Sequence, residues 1–203
     1  MSLSTLHEQL RALRLGHFTQ ALLQQQTQPA TYNEMSFEER LSLLATHELL
    51  CRDNTKVQKL SRQAKLRIDA RASHIDYRAN RGLRKDKIAA LLSGQYLHHN
   101  QNIILTGATG CGKTYLACAL ATQACDQHHS TRYYRLGELL DELNIGRADG
   151  SYRQQLSALA KRKLLILDDW GMEPLTARQA NDLLDVMEMR YQQSSTIIAS
   201  QIP

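Results

Sequence analysis

A glycine-rich stretch between two apolar flanks constrains the fold of this chain more than any other segment. Residues 104–117 read ILTGATGCGKTYLA and contain GATGCGKT, which fits the pattern G-x-x-x-x-G-K-[ST]. The glycines allow the backbone to curl so that successive N–H groups converge on phosphate oxygens. The pattern binds phosphate when a strand precedes it and a helix follows it. The sequence therefore predicts that residues 107–114 bind a nucleoside triphosphate with Mg²⁺.

The polar residues of the predicted phosphate loop have separate roles. Lys113 supplies a positive charge for the β- and γ-phosphates, and the Thr114 hydroxyl is placed to bind Mg²⁺. The helix that begins there adds the positive end of its dipole. Cys111 occupies a variable position of the pattern and is assigned no role in catalysis. The residues predicted to contact the nucleotide are Gly107, Ala108, Thr109, Gly110, Cys111, Gly112, Lys113, Thr114 and Tyr115.

Two aspartates end the apolar run LLILDDW at residues 164–170. At the carboxyl end of a parallel strand, Asp168 would lie near the phosphate loop, where Mg²⁺ and its waters need an oxygen acceptor. Asp169 is a candidate for orienting or deprotonating the attacking water. The alternative is that it only caps the turn before Gly171. The predicted metal ligands are therefore Thr114 and Asp168.

A later apolar run ends in Ser200 and Gln201, which place polar side chains at the carboxyl end of another strand. Ser200 is predicted to lie near the γ-phosphate, and a loop-forming role is the alternative. The predicted catalytic residues are Lys113, Asp169 and Ser200.

Short β-like runs alternate with helical patterns in the second half of the chain. The runs cover residues 102–106, 131–135, 164–169 and 196–200. Between them, leucine and alanine recur at helical spacing. This alternation predicts an α/β fold, with a buried parallel sheet and helices on both of its faces.

The N-terminal part of the chain shows only helical spacing. Its apolar residues predict one helix over residues 3–23, and Ser36 followed by Glu39 predicts the capped start of a second helix. A third helix, amphipathic and cationic, is predicted over residues 57–68. A short helix is predicted over residues 85–92.

The helical pattern breaks within residues 72–85, where we place the domain boundary. This predicts a small all-α domain over residues 1–80 and the α/β core over residues 81–203. Charge is also uneven, because residues 51–90 hold twelve Lys and Arg against four Asp, a net charge of +8 in a chain of +5. The remainder therefore carries −3. Such a basic block indicates a polyanion-facing surface, and a solvated helix face is the alternative.

Length and apolar patterning exclude some protein classes. A chain of 203 residues suffices for one main domain with a smaller appendage. No apolar run approaches the ~18–20 residues that span a bilayer. The N-terminal residues lack the apolar core and cleavage site of a secretory signal. We therefore expect a cytoplasmic protein with no membrane partner.

Four segments together resemble a known family. They are SFEERLSLLATHELLCRDNTKVQKLSRQAKLR, NIILTGATGCGKTYLACALA, LLILDDWG and MRYQQSSTIIASQIP, and they cover nearly the whole chain. In these segments the chain is similar to the IstB-like family of insertion-sequence transposition helper ATPases, which are relatives of DnaC-type helicase loaders. The resemblance implies a P-loop NTPase fold of the AAA+ type, preceded by an all-α domain. It also implies that the strand ending in Ser200 lies between the phosphate-loop strand and the Asp-Asp strand.

The same resemblance implies an activity and partners. The implied protein is an ATP-dependent helper that forms a homo-oligomer on double-stranded DNA and presents target sites to a partner transposase. Lys113 matches the family's phosphate position, and Asp169 matches its water-activating position. Thr114 and Asp168 match the Mg²⁺ positions, and Ser200 matches the γ-phosphate sensor.

Family members continue beyond the SQIP motif with a further strand, a helical lid and a basic residue that completes the neighbouring protomer's site. Because the sequence stops at Pro203, the resemblance implies a truncated core that lacks the lid. A cation at the γ-phosphate is worth ~10³–10⁵ in rate, so we expect ATP binding with slow or no turnover.

Two other interpretations remain open. One is a helicase loader whose N-terminal helices bind a helicase. The other is a remnant that binds nucleotide or DNA without turnover. A small-molecule kinase is disfavoured, because no lid with clustered arginines follows the predicted phosphate-loop helix.

Overall fold

The computed structural model of the chain describes residues 3–77 and 83–202. The described residues form two compact units, one ending at Gln58 and the other beginning at Lys59. The domain boundary predicted at residues 80 and 81 lies outside the described residues. The segment that precedes it packs on the second unit: Ala70 is fully buried in the core of that unit, and Ile75 packs against that core.

The N-terminal unit is helical, as predicted. Its helices are α1 (Leu3–Ala12), α2 (Gly16–Thr27), α3 (Pro29–Tyr32) and α4 (Phe37–Ala64), the last of which runs past Gln58. The prediction of one helix over residues 3–23 is wrong, because the chain reverses between α1 and α2. Arg14 adopts a left-handed conformation (φ 59°), and the Leu15 N–H donates to the Leu10 carbonyl at 2.9 Å. These are the features of a helix C-terminal turn.

Helix α4 begins with the predicted capping box. The Ser36 hydroxyl accepts the Glu39 N–H at 3.2 Å, and the Glu39 carboxylate accepts the Ser36 N–H at 2.7 Å. The two helices predicted from Ser36 onward form one helix of 28 residues, since no glycine or proline interrupts this stretch. The helix ends before the predicted position 68, because Lys65 adopts a left-handed conformation (φ 49°).

The second unit contains a sheet of four parallel strands. They are β1 (Ile103–Thr106), β2 (Thr131–Arg135), β3 (Leu164–Trp170) and β4 (Ser195–Ser200), which confirms the four predicted strands. Their order is β1-β4-β3-β2, so β4 lies between the phosphate-loop strand and the Asp-Asp strand, as the family resemblance implied. All four carboxyl ends meet at one edge of the sheet, which is where ligands bind in open α/β sheets.

Helices cover both faces of this sheet. Beyond α4 they are α5 (Lys85–Leu92), α6 (Gln95–His98), α7 (Lys113–Asp126), α8 (Leu136–Asp149), α9 (Tyr152–Ala160) and α10 (Ala177–Arg190), with a 3₁₀ turn at Ala72–His74. Side chains of β3 alternate between the faces. Leu164 and Ile166 join the core with α7, whereas Leu165 and Leu167 join the core with α8, α9 and α10. The predicted α/β fold is confirmed. Helix α9 was not predicted.

The amino-terminal edge of the sheet is closed by an arginine. Arg190, the last residue of α10, is only 2% exposed. Its guanidinium donates to the carbonyls of Leu159 (2.6 Å), Arg162 (2.8 Å) and Ser195 (2.5 Å), and to the Thr196 hydroxyl (3.1 Å). Burial lowers its pKa to about 10. This side chain therefore ties the end of α9 and the residues after it to the start of β4.

Within the described ranges, no helix combines the length and the apolar character needed to cross a membrane.

Candidate nucleotide-binding site

A cleft of about 1010 Å³ lies at the carboxyl-terminal edge of the sheet. Its walls come from the phosphate loop, from the junction of β2 and α8, and from the residues that follow β3. Its volume lies at the upper end of the range that ligand pockets usually occupy. The cleft therefore has room for a nucleotide beside the predicted loop.

The loop has the backbone that the glycine pattern predicts. Gly112 is the N-cap of α7 and adopts a left-handed conformation (φ 94°). Gly107 has φ 151°, and a Cβ atom there would lie 3.0 Å from the Cys111 sulfur. Side chains at these two positions would strain or block the curl, so the glycines are required by geometry. The loop ends at Lys113, the first residue of α7.

The Lys113 side chain folds back over its own loop. Its Nζ donates to the carbonyls of Gly107 (2.7 Å) and Ala108 (2.9 Å) and lies 3.9 Å from the Cys111 sulfur. The two carbonyl acceptors are uncharged, whereas phosphate oxygens carry negative charge and make stronger hydrogen bonds. A triphosphate can therefore take the ammonium group from these carbonyls.

Thr114 and Asp168 are joined directly. The Thr114 hydroxyl, in the first turn of α7, donates to Asp168 Oδ2 in β3 at 2.7 Å, although β4 separates β3 from the strand that precedes the phosphate loop. The Tyr133 hydroxyl donates to the same oxygen at 2.7 Å, and the Asp169 N–H donates to Oδ1 at 2.9 Å. Asp168 is only 2% exposed. Burial and the bond to Asp168 raise the pKa of Tyr133.

These oxygens suit a hard cation. Mg²⁺ prefers oxygen ligands and usually takes one or two carboxylates together with substrate phosphates. The paired hydroxyl and carboxylate lie at the cleft wall beside Lys113. The residues present therefore fit the ion that the fold implies.

Asp169 is ion-paired on the wall of the cleft. Its Oδ2 lies 2.8 Å from Arg135 Nε and 3.7 Å from an Arg67 guanidinium nitrogen. The hydrogen bond to Asp169 raises the pKa of Arg135. Asp169 also has a left-handed backbone (φ 58°), at an irregularity in the pairing of β3 with β4. The irregular backbone turns Asp169 away from the buried position of Asp168.

The end of β4 places Gln201, and not Ser200, on the cleft. Ser200 is 5% exposed, accepts the Ile202 N–H at 3.0 Å, and lies 3.2 Å from the Trp170 carbonyl oxygen. Gln201 lines the cleft, and its Oε1 accepts a hydrogen bond from the Thr109 hydroxyl at 2.5 Å. Gln201 is therefore the polar side chain of this strand end that contacts the phosphate loop.

Most of the predicted residues converge on this cleft. Its lining includes Thr109, Gly110, Gly112, Lys113, Thr114, Tyr115, Asp168 and Asp169. Gly107, Ala108, Cys111 and Ser200 are not part of that lining. The carbonyls of Gly107 and Ala108 take part through Lys113.

The unpredicted side chains near the site include Arg67, Tyr133 and Arg135. The sequence predicts a strand that contains Tyr133 and Arg135, but it does not show that this strand pairs with β3, where Arg135 lies in register with Asp168. Tyr133 lies two residues earlier, on the same face of the strand as Arg135. Arg67 carries no comparable signal, because it follows α4 in an irregular segment.

Comparison with known proteins agrees with this geometry. A family model described as IstB-like ATP binding protein matches residues 8–203. The chain is 45% identical over 196 residues to a protein from Pseudomonas fluorescens named as an ATP-binding protein of insertion sequence IS1162. That match covers 96% of this chain and 84% of the relative.

Solved structures show the same fold at low identity. The DnaC helicase loader superposes with a TM-score of 0.53 at 23% identity, over 58% of this chain and 67% of that one. AMPPCP-bound DnaA from Aquifex aeolicus superposes with a TM-score of 0.59 at 18% identity, over 67% of this chain and 43% of that one. The sheet unit therefore has the AAA+ P-loop fold.

Proposed function

Because this chain belongs to the IstB-like ATP-binding protein family, we propose that it is the ATP-hydrolysing, DNA-binding helper of an insertion-sequence transposition system. The observation that carries the nucleotide part is the bond between Thr114 and Asp168 beside Lys113, on the wall of a cleft of nucleotide size. The name of the relative from Pseudomonas fluorescens supports an insertion-sequence context over helicase loading. A cytoplasmic location is part of the same proposal.

The triphosphate binds along the phosphate loop. Backbone N–H groups of residues 107–114 face its oxygens, and Lys113 exchanges the carbonyls of Gly107 and Ala108 for the β- and γ-phosphates. Thr114 and Asp168 would hold a Mg²⁺ ion, which would supply positive charge beside the phosphates. Gln201, bonded to Thr109, positions the loop opposite the end of β4.

Hydrolysis requires a base, and we assign this role to Asp169, the cleft carboxylate that matches the family's water-activating position. A water oxygen attacks the γ-phosphorus, the bond to the β–γ bridging oxygen breaks, and the water proton passes to Asp169. Since Arg135 holds the Asp169 carboxylate at 2.8 Å, this ion pair must loosen before the carboxylate accepts a proton. The products are ADP and phosphate.

DNA binding rests on the basic segment around the end of α4. Six of its residues are exposed, and exposed lysines and arginines favour binding to phosphate backbones. They are Lys56, Lys59, Arg62, Lys65, Arg67 and Arg71. Two of them have other contacts, since Arg67 also faces Asp169 and Arg71 lies 4.0 Å from Asp69. On DNA, we propose that ATP drives assembly of a homo-oligomer that engages the partner transposase.

Calorimetry with Mg·ATP tests the nucleotide part. We expect Lys113→Ala to abolish detectable binding, because it removes the only lysine of the loop, and to leave the unfolding midpoint unchanged. Lys161→Ala, an exposed lysine of the same unit, is the matched control and should bind like the unmodified chain. Equal affinity of Lys113→Ala and the control would refute the site.

Light scattering tests the assembly part. The chain is measured alone, with ATP, with duplex DNA and with both, and the largest particles are expected only with both ligands. An unchanged particle size in all four samples would contradict the proposed oligomer.

A further inference from the structure

A second cleft, of about 410 Å³, lies in the N-terminal unit where α1 turns into α2 beside α4. It is lined by Arg11, Arg14, Gly16, His17, Glu48, Arg52 and Thr55. Three arginines therefore surround one carboxylate. Only Arg52 belongs to the basic block of residues 51–90, so most of this positive charge lies outside the predicted polyanion surface.

The single carboxylate of the cleft already has partners. The Glu48 side chain is 6% exposed and accepts the Phe18 N–H at 2.7 Å and Arg52 Nε at 2.5 Å. Burial raises the pKa of Glu48, but these two hydrogen bonds and the charge of Arg52 outweigh burial and leave the pKa below its usual value. Glu48 thus stays ionised and orients Arg52, and no other carboxylate lines the cleft among the described residues.

Arg52 is held in place by both neighbours. In addition to Glu48, its guanidinium donates to the Arg14 carbonyl at 2.5 Å. This bond also fixes the turn between α1 and α2, in which Arg14 has φ 59°. Glycine is the usual residue at this position of a helix C-terminal turn, because other residues are strained there. Here an arginine occupies it and places a charge at the rim of the cleft.

Arg11 and Arg14 provide the exposed charge of the cleft. Neither guanidinium forms a salt bridge within the part of the chain that the structure describes, whereas Arg52 is paired with Glu48. The start of α2 adds the positive end of a helix dipole on the same side, because Gly16 and His17 are its first residues. The cleft is therefore strongly cationic, with room for a group the size of a phosphate.

We propose that this cleft binds a phosphate of the DNA backbone, with Arg11 and Arg14 as the contacting side chains and Arg52 as the residue that orients the turn. The inference rests on the proposed DNA binding and deepens it by naming contacts outside the basic block. Charge complementarity selects the partner: a phosphodiester offers negative oxygens and no sequence information, which matches arginines on a rim. Lys56 lies one turn beyond Arg52 on α4 and carries the positive charge along the helix.

The test is the salt dependence of duplex DNA binding, measured by fluorescence anisotropy with a labelled duplex of arbitrary sequence. The variant combines Arg11→Gln with Arg14→Gly, and glycine suits the left-handed backbone at position 14. Each lost phosphate contact flattens the log–log slope by about 0.9, and the cleft binds one phosphate, so we expect a slope shallower by about 0.9. The matched control combines Arg153→Gln with Lys161→Gln, two exposed charges of α9 and its C-cap, and should keep the slope of the unmodified chain.

Three further outcomes decide the inference. A variant with Arg11→Lys and Arg14→Lys keeps both charges and should restore most of the slope; failure to restore it would show a structural effect and overturn the inference. If the variant with Arg11→Gln and Arg14→Gly binds with the control's slope, the role of this cleft is overturned and DNA binding is left to other residues. Absence of salt-sensitive binding by the unmodified chain would overturn both the cleft and the proposed DNA function.

Discussion

The two edges of the sheet use arginine in opposite ways. At the amino-terminal edge, Arg190 is 2% exposed and donates to three carbonyls and a hydroxyl that belong to the framework. At the carboxyl-terminal edge, the Arg135 side chain is 47% exposed and pairs with Asp169 on the wall of the cleft. Partners at the first edge cannot leave without disturbing the backbone, whereas the pair at the second edge can separate. The amino-terminal ends of the strands therefore carry contacts that stabilise the fold, whereas their carboxyl-terminal ends carry residues of the candidate site.

The largest expected effect is at the cleft. Asp169→Asn removes the proposed base, so we expect phosphate release to fall by roughly 10²–10⁴-fold while Mg·ATP affinity stays within a few-fold. Steady-state phosphate release with and without duplex DNA measures the first quantity, and calorimetry measures the second. Glu173→Gln is the matched control, because Glu173 also lines the cleft and, among the described residues, forms no hydrogen bond or ion pair with the predicted groups. Equal turnover of the two variants would remove Asp169 from the reaction.

The next effect is at the opposite edge. Arg190→Ala leaves several buried acceptors without a donor, each at a cost of about 1–3 kcal/mol, so we expect a loss of roughly 3–5 kcal/mol in the free energy of unfolding. Urea denaturation measures it. Arg190→Lys keeps the charge but has fewer donors. Its free energy of unfolding should therefore lie between those of the unmodified chain and Arg190→Ala. A loss below about 1 kcal/mol for Arg190→Ala would show that Arg190 does not stabilise the framework more than an exposed ion pair does.

A smaller effect is expected where framework and cleft meet. Tyr133→Phe removes one donor to the buried Asp168 and should cost about 1–3 kcal/mol of stability. It should also change the response to alkaline pH. Because burial and the bond to Asp168 raise the pKa of Tyr133, its contribution is complete below the unfolded-state pKa of about 10 and is lost as pH rises further.

The alkaline response is measured as the unfolding midpoint between neutral pH and pH values above about 10. We expect the midpoint of Tyr133→Phe to fall less steeply than that of the unmodified chain. Part of the fall should persist in the variant, because burial also raises the pKa of Tyr96. Identical slopes would show that Tyr133 contributes nothing to the alkaline loss.

The smallest expected effect concerns Arg135. Arg135→Gln breaks an exposed ion pair, and such pairs are worth less than about 1 kcal/mol. Urea denaturation should therefore show a far smaller loss than for Arg190→Ala. The contrast would be reversed if Arg135→Gln proved the more destabilising of the two.

The parts that the sequence predicts are local. The phosphate loop follows from a pattern of eight residues, and the four strands follow from short β-like runs, of which the one that forms β3 is almost wholly buried. Lys113, Thr114 and Asp168 converge as predicted because parallel strands present their carboxyl ends at one edge.

The parts that the sequence does not predict depend on distant neighbours. The pairing of Arg135 with Asp169 requires knowledge that β2 and β3 are adjacent and in which register. Burial of Arg190 depends on carbonyls about thirty residues earlier in the chain. The sequence does not predict the chain reversal between α1 and α2. Glycine usually marks a left-handed residue at the end of a helix, and here that residue is Arg14.

The conformation of the Lys113 side chain affects which ligands the phosphate loop can bind. The Lys113 ammonium group already donates to the carbonyls of Gly107 and Ala108. A ligand that binds this group must therefore replace these two hydrogen bonds. Only a group that offers the ammonium more than two neutral oxygens can displace it, and a phosphate chain does so by charge. A nucleoside without phosphates offers no such charge. The bonds of Lys113 to its own loop would therefore favour a ligand that carries phosphates over one that does not.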